Sequence, residues 1–492
     1  MLPYAVRVLF VVNDLVAAEP LGVMQLASLL RRAGHDVRLA GARQTPLPPL
    51  LASFRPELVG YSLITGLHRR LLELNRWLKQ SFEFFALLGG PHATFFPESI
   101  DEPGVDAVCI GEGEGAVLDV ATALQGARPV AGLANLWVKT PEGVVRAPPR
   151  PLITDLDALP FPDRSLRNDM DPRSRSYPVK SILAARGCPF RCAYCFNDGY
   201  ARLYGSAWSR VRIRSVANIV AEVRELREQG PLELVQFRES VFPWQDDWLE
   251  ELASRWPAEV GLPFYCHVRA DLLTPRRVAL LARAGCVSVN LGIECGDETV
   301  RRELLDRPIG DEQIVEACRW LHGNGIRVLA DNMLGLPGTT LDTDLCTLRL
   351  NQRCPVDYAL AMLFQPYPGT RLGELARATG QWSGDLESIG PNYYLESPLR
   401  LGDERQQRVR ENLQKWFALL VETPGLERLV RPWLRLPPNL VFLSIFRAWY
   451  AMCYVRRIVP HRLGRDELAE LGANLFGLCP PDANRDLLEQ SP

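Results

Sequence analysis

The segment Cys188-Pro189-Phe190-Arg191-Cys192-Ala193-Tyr194-Cys195 decides how the rest of the chain is read, because it sets three cysteines within eight residues in the spacing CxxxCxxC. Thiolates are soft ligands that favour iron–sulfur clusters, zinc or copper(I). A cubane cluster of four irons normally takes four cysteines. Three in one short loop leave one iron open to a non-protein ligand, much as a catalytic zinc site keeps an open position. A cluster with a free corner can bind a substrate and also pass it an electron. Two plainer readings stand beside this one. A structural zinc loop would favour CxxC pairs and four closed ligands, and free cysteines are often buried as small hydrophobes.

Length and composition set wide bounds. A chain of 492 residues has room for two to four domains with substantial cores. The net charge of −2 gives no global basic field for nucleic acid. Lys79, Lys139, Lys180 and Lys415 are the only lysines. The excess of arginine over lysine looks like the coding bias of a GC-rich genome, not a phosphate-binding surface. The N-terminus, MLPYAVRVLFVVNDLVAAEP, has a strand-length apolar run and no signal-peptide cleavage pattern. Cysteines 109, 266, 286, 295, 318, 346, 354, 453 and 479 are scattered through apolar elements, which suits a reducing cytoplasm better than a disulfide framework.

Residues 5–125 alternate between strand and helix patterns. Strands are expected at 6–12, 35–40, 57–63, 84–88 and 107–110, with helices at 21–33 and 67–80. This predicts a doubly wound, Rossmann-like parallel sheet, with ligands at the strand carboxyl ends. The turns there are Ser62-Leu63-Ile64-Thr65-Gly66, Gly89-Gly90-Pro91-His92-Ala93-Thr94 and Gly111-Glu112-Gly113-Glu114-Gly115. Glycines let backbone approach a large flat ligand, and their N–H groups can cradle its polar edge. Residues 126–175 are rich in Pro, Arg and Asp and read as a short hairpin followed by a linker.

Residues 176–375 repeat strand-then-helix units. Strands are expected at 180–184, 232–237, 264–268, 287–292, 327–334 and 358–364, with helices such as 216–229 and 311–324. These units predict a full or partial TIM-type (β/α) barrel with chemistry at the strand carboxyl ends. The cysteine loop, Arg238-Glu239-Ser240, the set His267, Arg269 and Asp271, and Gly292-Ile293-Glu294-Cys295-Gly296 all fall there. Gly335-Leu336-Pro337-Gly338-Thr339-Thr340 and Pro366-Tyr367-Pro368-Gly369-Thr370 follow in order.

The three cysteines with an aromatic before the third, followed by these segments in order, resemble the radical S-adenosylmethionine (SAM) superfamily. With the N-terminal glycine loops, residues 5 to 375 are similar to its cobalamin-binding branch, which includes methyltransferases and anaerobic porphyrin ring cyclases. The resemblance implies a [4Fe-4S] cluster on Cys188, Cys192 and Cys195. It implies SAM contacts from Tyr194, Phe196, Glu239, Arg269 and Glu294. Glu239 would take the amino group. Arg269 would pair either the SAM carboxylate or a core acid. Glu294 would accept from ribose hydroxyls or fix a neighbouring arginine. Cobalamin would meet Ser62, Thr65, Gly89, Gly90, Pro91, His92, Gly111, Glu112 and Gly113.

One departure concerns cobalt. Cobalamin mutases carry an Asp-x-His-x-x-Gly loop after the first strand, whose histidine ligates the metal. Residues 13–22 here contain no histidine, so His92 is expected to touch the corrin or its tail without ligating cobalt.

The resemblance implies reductive SAM cleavage to a 5′-deoxyadenosyl radical and cobalamin-dependent methylation of an unactivated carbon or phosphorus centre. The substrate would be a small molecule or a peptide, and the electron would come from an external flavodoxin- or ferredoxin-like reductant. Rearrangement or oxidative ring cyclisation without methyl transfer is the alternative. A cobalamin-binding sensor is the non-enzymatic one. Residues 376–492 are expected to form a helical cap over the substrate, with helices at 403–421 and 439–459. The second helix is apolar, but arginines interrupt it before the length a membrane span needs. Packing as a cap is favoured over membrane-surface contact.

Overall fold

The computed structural model describes residues 4–14, 19–390, 396–462, 464, 482–485 and 487. Residues 15–18 of the loop without histidine, Cys479 and most of the last thirty positions lie outside the described residues. The chain divides into two compact units, residues 1–176 with 480–492, and residues 177–479.

In the first unit, Arg7–Val12 (β1) reads RVLFVV and is buried beyond its first residue, as a parallel strand covered on both faces should be. Asp36–Gly41 (β2) pairs on one side and Leu58–Ser62 (β3) on the other. Phe85–Gly89 (β4) and Ala107–Cys109 (β5) continue the sheet, all parallel. Each expected strand forms within one residue of its predicted bounds. The hairpin expected before the linker forms from Leu136–Thr140 (β6) and Gly143–Arg146 (β7), and it also extends this sheet, β6 pairing antiparallel with β5. Residues near the C-terminus also belong to this unit. Asn484 accepts from the Leu47 N–H at 3.0 Å and donates to the Ala42 and Thr45 carbonyls at 2.7 Å.

The second unit is a partial barrel. Val179–Ile182 (β8) is followed by a two-residue antiparallel pair, Ala185–Arg186 (β9) with Arg212–Ile213 (β10). Then come Leu234–Phe237 (β11), Phe264–Val268 (β12), Cys286–Glu294 (β13), Arg327–Leu334 (β14) and Tyr358–Leu363 (β15). Six parallel strands stand in the order β15-β14-β13-β12-β11-β8. Local chemistry sets the helices between them. Thr274 caps helix Pro275–Ala284 by accepting from the Arg277 N–H at 3.2 Å, Pro275 opens it, and Gly285 ends it at φ +97°, each the expected residue type for its place.

Strand alternation divides the barrel wall. Val235, Phe237, Phe264, Cys266, Val289, Leu291, Val328 and Ala330 face the helices in one core. Phe237 and Phe264 meet edge to face at 5.4 Å, a favourable aromatic geometry. The opposite, inner face carries Gln236, Tyr265, His267, Asn290 and Asp331.

The C-terminal helices depart from the expected substrate cap. Helix Glu404–Glu422 packs outside β15 through Leu413, Phe417 and Leu420. Helix Leu440–Cys453 and the turn Tyr454–Ile458 close the amino-terminal ends of the strands. There, Arg457 donates to the Asp357 carbonyl at 2.9 Å, and Arg327 donates to the carbonyls of Arg456 and Arg457 at 3.1 and 2.9 Å. Leu234, Tyr265, Leu329 and Tyr358 pack against Cys453, Ile458 and Val459. The apolar second helix is thus a floor to the barrel. Trp382, Ile389, Leu399 and Leu401 pack with Ala193, Met333 and Leu336 at the other end.

The turn beginning at Gly335 is seated on a buried ion pair. Arg410 donates to Asp344 at 2.7 Å, with both side chains 2% exposed, and the Gly335 N–H donates to the same carboxylate at 2.9 Å. Removing one partner of a buried pair leaves an uncompensated charge. Arg410→Ala is therefore expected to cost about 3–5 kcal/mol in urea unfolding. The paired replacement Asp344→Leu with Arg410→Met should recover part of that loss.

Candidate functional site

The cysteine loop leaves β9 through Gly187 at φ +97°, where a Cβ would stand 2.7 Å from the Trp208 carbonyl oxygen. Only glycine fits that close approach. The loop is then tied down at several points. The Ala193 N–H donates to the Leu305 carbonyl at 3.0 Å and the Leu372 N–H to the Ala193 carbonyl at 2.9 Å. Asp198, 2% exposed in the first turn of helix Phe196–Tyr204, accepts from Arg191 and Arg202 at 2.8 Å each and lies 3.7 Å from Arg371. A buried carboxylate needs such compensation. It pins the loop to the helix that follows it.

Cys188 and Cys192 are buried and Cys195 half-buried. Burial pushes the Cys188 thiol up, and pushes Cys195 up to about 12; a coordinating metal reverses that balance by deprotonating the thiol. Among the described residues no group of three His, Cys, Asp or Glu converges to hold a single metal ion. A cubane makes a different demand, since each thiolate goes to its own iron. Two donors already address the sulfurs, Arg269 toward Cys192 at 3.4 Å and Asn197 toward Cys195 at 3.5 Å. Hydrogen bonds to cluster sulfur tune potential. The donor set fits a three-thiolate cluster.

Glu239 follows β11 and is 3% exposed. Its Oε2 accepts from the Ala184 N–H at 3.0 Å, and its Oε1 is buried without a partner. Burial pushes this carboxyl up to about 8. An orphaned buried acceptor at the strand carboxyl ends is what an incoming ammonium would satisfy. Glu294 ends β13 at φ +69° and accepts from the Tyr194 hydroxyl at 2.8 Å, which ties the cysteine loop to the strand end. The Phe196 ring lies 5.2 Å from that of Tyr367.

Of the two partners expected for Arg269, an acid is present beside it. Arg269 holds Asp271 with two hydrogen bonds of 3.0 and 2.9 Å and lies over the Phe190 ring at 3.4 Å. With Cys192 as well, three of its five N–H groups address the cysteine loop and its own acid.

In the first unit the loops after β3, β4 and β5 lie side by side at the sheet's carboxyl ends. Ser62, Gly89, Gly90, Gly111, Glu112 and Gly113 are half-buried and Pro91 is exposed. A Cβ at Gly89 would meet nothing nearer than 3.9 Å, so that surface is open. At Gly90, φ is +90° and a Cβ would stand 2.8 Å from the Leu63 carbonyl oxygen, so this glycine serves the approach of two loops. The Gly111 N–H donates to Thr94 at 3.1 Å, and Glu112 accepts from the Ile153 N–H at 2.9 Å. Ile64 stands exposed beside them, an apolar contact suited to a flat ring.

His92 and Thr65 differ from expectation. His92 is 1% exposed. Its Nδ1 pairs with the Thr65 hydroxyl at 3.1 Å and its Nε2 with Ser99 at 3.4 Å, and its ring stacks on His68 at 3.8 Å. Burial, then His68, pushes it down to about 3. With both ring nitrogens occupied, it supports the loop from beneath instead of touching a ligand, and the Thr65 hydroxyl is used in the same bond.

Asp198 and Asp331 escaped the sequence reading. Asp198 carried one usable signal, an acid within three residues of the last cysteine. Asp331 had none, since it sits mid-strand. Asn290 donates to its Oδ2 at 2.8 Å, while its Oδ1 is buried without a partner. Burial, then Glu294, pushes it up to about 7.

The raised value of Glu239 has a measurable consequence. Between the ordinary value of 4.5 and about 8 the unfolded chain has released a proton that the folded chain retains. The folded state binds more protons there, so stability falls as pH rises through that window. Glu239→Gln should remove that slope in urea unfolding of the cluster-free protein, by up to about 1.4 kcal/mol per pH unit. An unchanged slope would place the carboxyl in a solvated environment.

Comparison with known proteins agrees with this geometry. The radical SAM superfamily model matches residues 182–348, and the B12 binding domain model matches residues 9–121. An uncharacterized methyltransferase of Pyrococcus horikoshii is 27% identical over 368 residues, 73% of this chain and 78% of the relative. The anaerobic magnesium-protoporphyrin IX monomethyl ester cyclase of Rubrivivax gelatinosus is 27% identical over 372 residues, 71% of this chain and 64% of its own length. The radical SAM methyltransferase TsrM from Kitasatospora setae, solved with cobalamin and a [4Fe-4S] cluster bound, shares the fold with a TM-score of 0.69 at 17% identity, over 99% of both chains. A B12-binding domain followed by a radical SAM domain, with relatives of both kinds, makes this chain a cobalamin-dependent radical SAM protein of the methyltransferase and cyclase branch, whose cofactors are a [4Fe-4S] cluster, SAM and cobalamin.

Proposed function

We propose that the protein methylates an unactivated carbon or phosphorus centre of a small-molecule or peptide substrate held in the barrel interior. The observation that carries this reading is the orphaned Oε1 of Glu239 at the same strand ends as the cysteine loop. When bound, the cluster, SAM and cobalamin together supply one-electron cleavage of SAM, hydrogen abstraction and methyl delivery.

The chain's own residues do the rest. Cys188, Cys192 and Cys195 hold the cluster and leave one iron open. Glu239 takes the SAM ammonium and gives up the proton that burial keeps on it, so SAM binding tightens as pH rises toward about 8. Glu294, fixed by Tyr194, presents its carboxylate to the ribose. Arg269 and Asn197 donate toward cluster sulfur. The substrate meets the inner face, where Asp331 offers a free acceptor and Arg238 a guanidinium with no ion pair among the described residues. Ser62, Gly89, Pro91 and Gly111–Gly113 line the corrin surface, with Gly90 holding the loop in shape. An external one-electron donor supplies the reducing equivalent.

Ring closure without methyl transfer is the second reading, favoured by the Rubrivivax cyclase, which aligns at the same identity as the Pyrococcus methyltransferase. Mass spectrometry of anaerobic reactions with methyl-deuterated SAM separates the two. Deuterated methyl in a product is the expected result; 5′-deoxyadenosine with no label in any product supports cyclisation. Cys188→Ala, Cys192→Ala and Cys195→Ala should each abolish SAM cleavage and the visible absorption of the reconstituted cluster. Cys266→Ala and Cys286→Ala should leave iron content near wild type.

A further inference from the structure

Among the described residues large apolar side chains are exposed at few places, and five of them fall in one short stretch. Leu429 is 66% exposed, Trp433 49%, Leu436 47%, Leu440 78% and Val441 65%. Arg428, Arg431 and Arg435 are exposed among them and form no ion pair among the described residues. This is not a loose loop. Val430, Leu434 and Phe442 alternate with the exposed residues and are buried against Trp416 and Phe417. Asn412 holds the Leu434 and Leu436 carbonyls at 3.1 and 2.7 Å. Asn439 caps helix Leu440–Cys453 by accepting from the Phe442 N–H at 3.0 Å. With one side fixed in the core, the other side points outward.

We propose that this patch docks on an anionic lipid bilayer surface. Leu429, Leu440 and Val441, each about two-thirds exposed or more, protrude, with Trp433 and Leu436 half exposed between them, and such protruding apolar side chains fit a fluid apolar medium better than a preformed protein groove. Unpaired arginines interspersed with them match anionic headgroups, and a tryptophan beside aliphatic residues suits the boundary between headgroup and acyl chain. No helix among the described residues is long and apolar enough to cross a membrane, so the contact is with the surface.

Flotation with vesicles of phosphatidylglycerol mixed into phosphatidylcholine, against phosphatidylcholine alone, tests this on the full chain. The wild type should float with the anionic vesicles and lose binding as salt is raised. Leu429→Ser with Trp433→Ser and Leu440→Ser should lower the bound fraction about tenfold, as should Arg428→Gln with Arg431→Gln and Arg435→Gln. The urea midpoint of the arginine variant should stay near wild type, because those side chains are exposed; Trp433 meets Trp416 at 6.0 Å, so the apolar variant is compared at a temperature where its own urea curve shows it folded. Protein that remains in the lipid-free fraction at low salt, or binding unchanged in both variants, overturns the proposal. So does a concentration-dependent dimer abolished by the same substitutions, which would give the patch to a second copy of this chain.

Discussion

Parallel strands buried on both faces leave their hydrogen-bonding groups satisfied within the sheet and their side chains committed to packing. The loops at the strand carboxyl ends are then where backbone and side chain are free to meet a ligand. Both units of this protein are built under that constraint. In the first, glycine-rich turns after β3, β4 and β5 keep the sheet end low and open. In the second, the cysteine loop, Glu239 and Glu294 crowd the ends of β9, β11 and β13, while helix Leu440–Cys453 and its continuation seal the opposite end.

Charge inside the barrel is distributed unevenly, and that unevenness gives the residues their roles. Asp198 is as buried as Glu239 but is surrounded by three arginines, and it serves as an anchor for the cysteine loop. Glu239 and Asp331 form no ion pair among the described residues; burial outweighs the field of Arg214 at Glu239, and both retain protons into the neutral range. A carboxyl held in this way waits for a partner. Glu239 stands beside the cysteine loop, where a cosubstrate ammonium is expected, and Asp331 faces the barrel interior from mid-strand. Arg269 shows the converse case. Three of its five N–H groups go to Asp271 and Cys192, so it braces the cluster loop.

The strands and the cysteine loop were legible in the sequence because each has a local signature. A parallel strand is a short apolar run, and three cysteines in eight residues have few structural uses. Glu239 was legible as an acid at a strand end. What escaped depends on tertiary placement. His92 lies in a glycine loop and reads as a ligand residue, but its ring turns inward to Thr65, Ser99 and His68. Arg269 reads equally well as a ligand clamp until Asp271 and Phe190 are seen around it. The apolar helix near the C-terminus gave its own existence but not its end of the barrel. Nothing local distinguishes a floor from a lid, and Trp382 and Leu399, which pack at the cluster end, sit in no periodic pattern that a sequence reader could use.

The central claim is that three thiolates hold a cluster and leave one iron for a non-protein ligand. Mössbauer spectroscopy of protein reconstituted with isotopically enriched iron tests it most directly. A three-cysteine cluster should show one iron whose isomer shift separates from the other three when SAM is added, and this change should be lost or weakened in Glu239→Gln. Four equivalent irons that ignore SAM would mean a fourth protein thiolate, and would contradict the account.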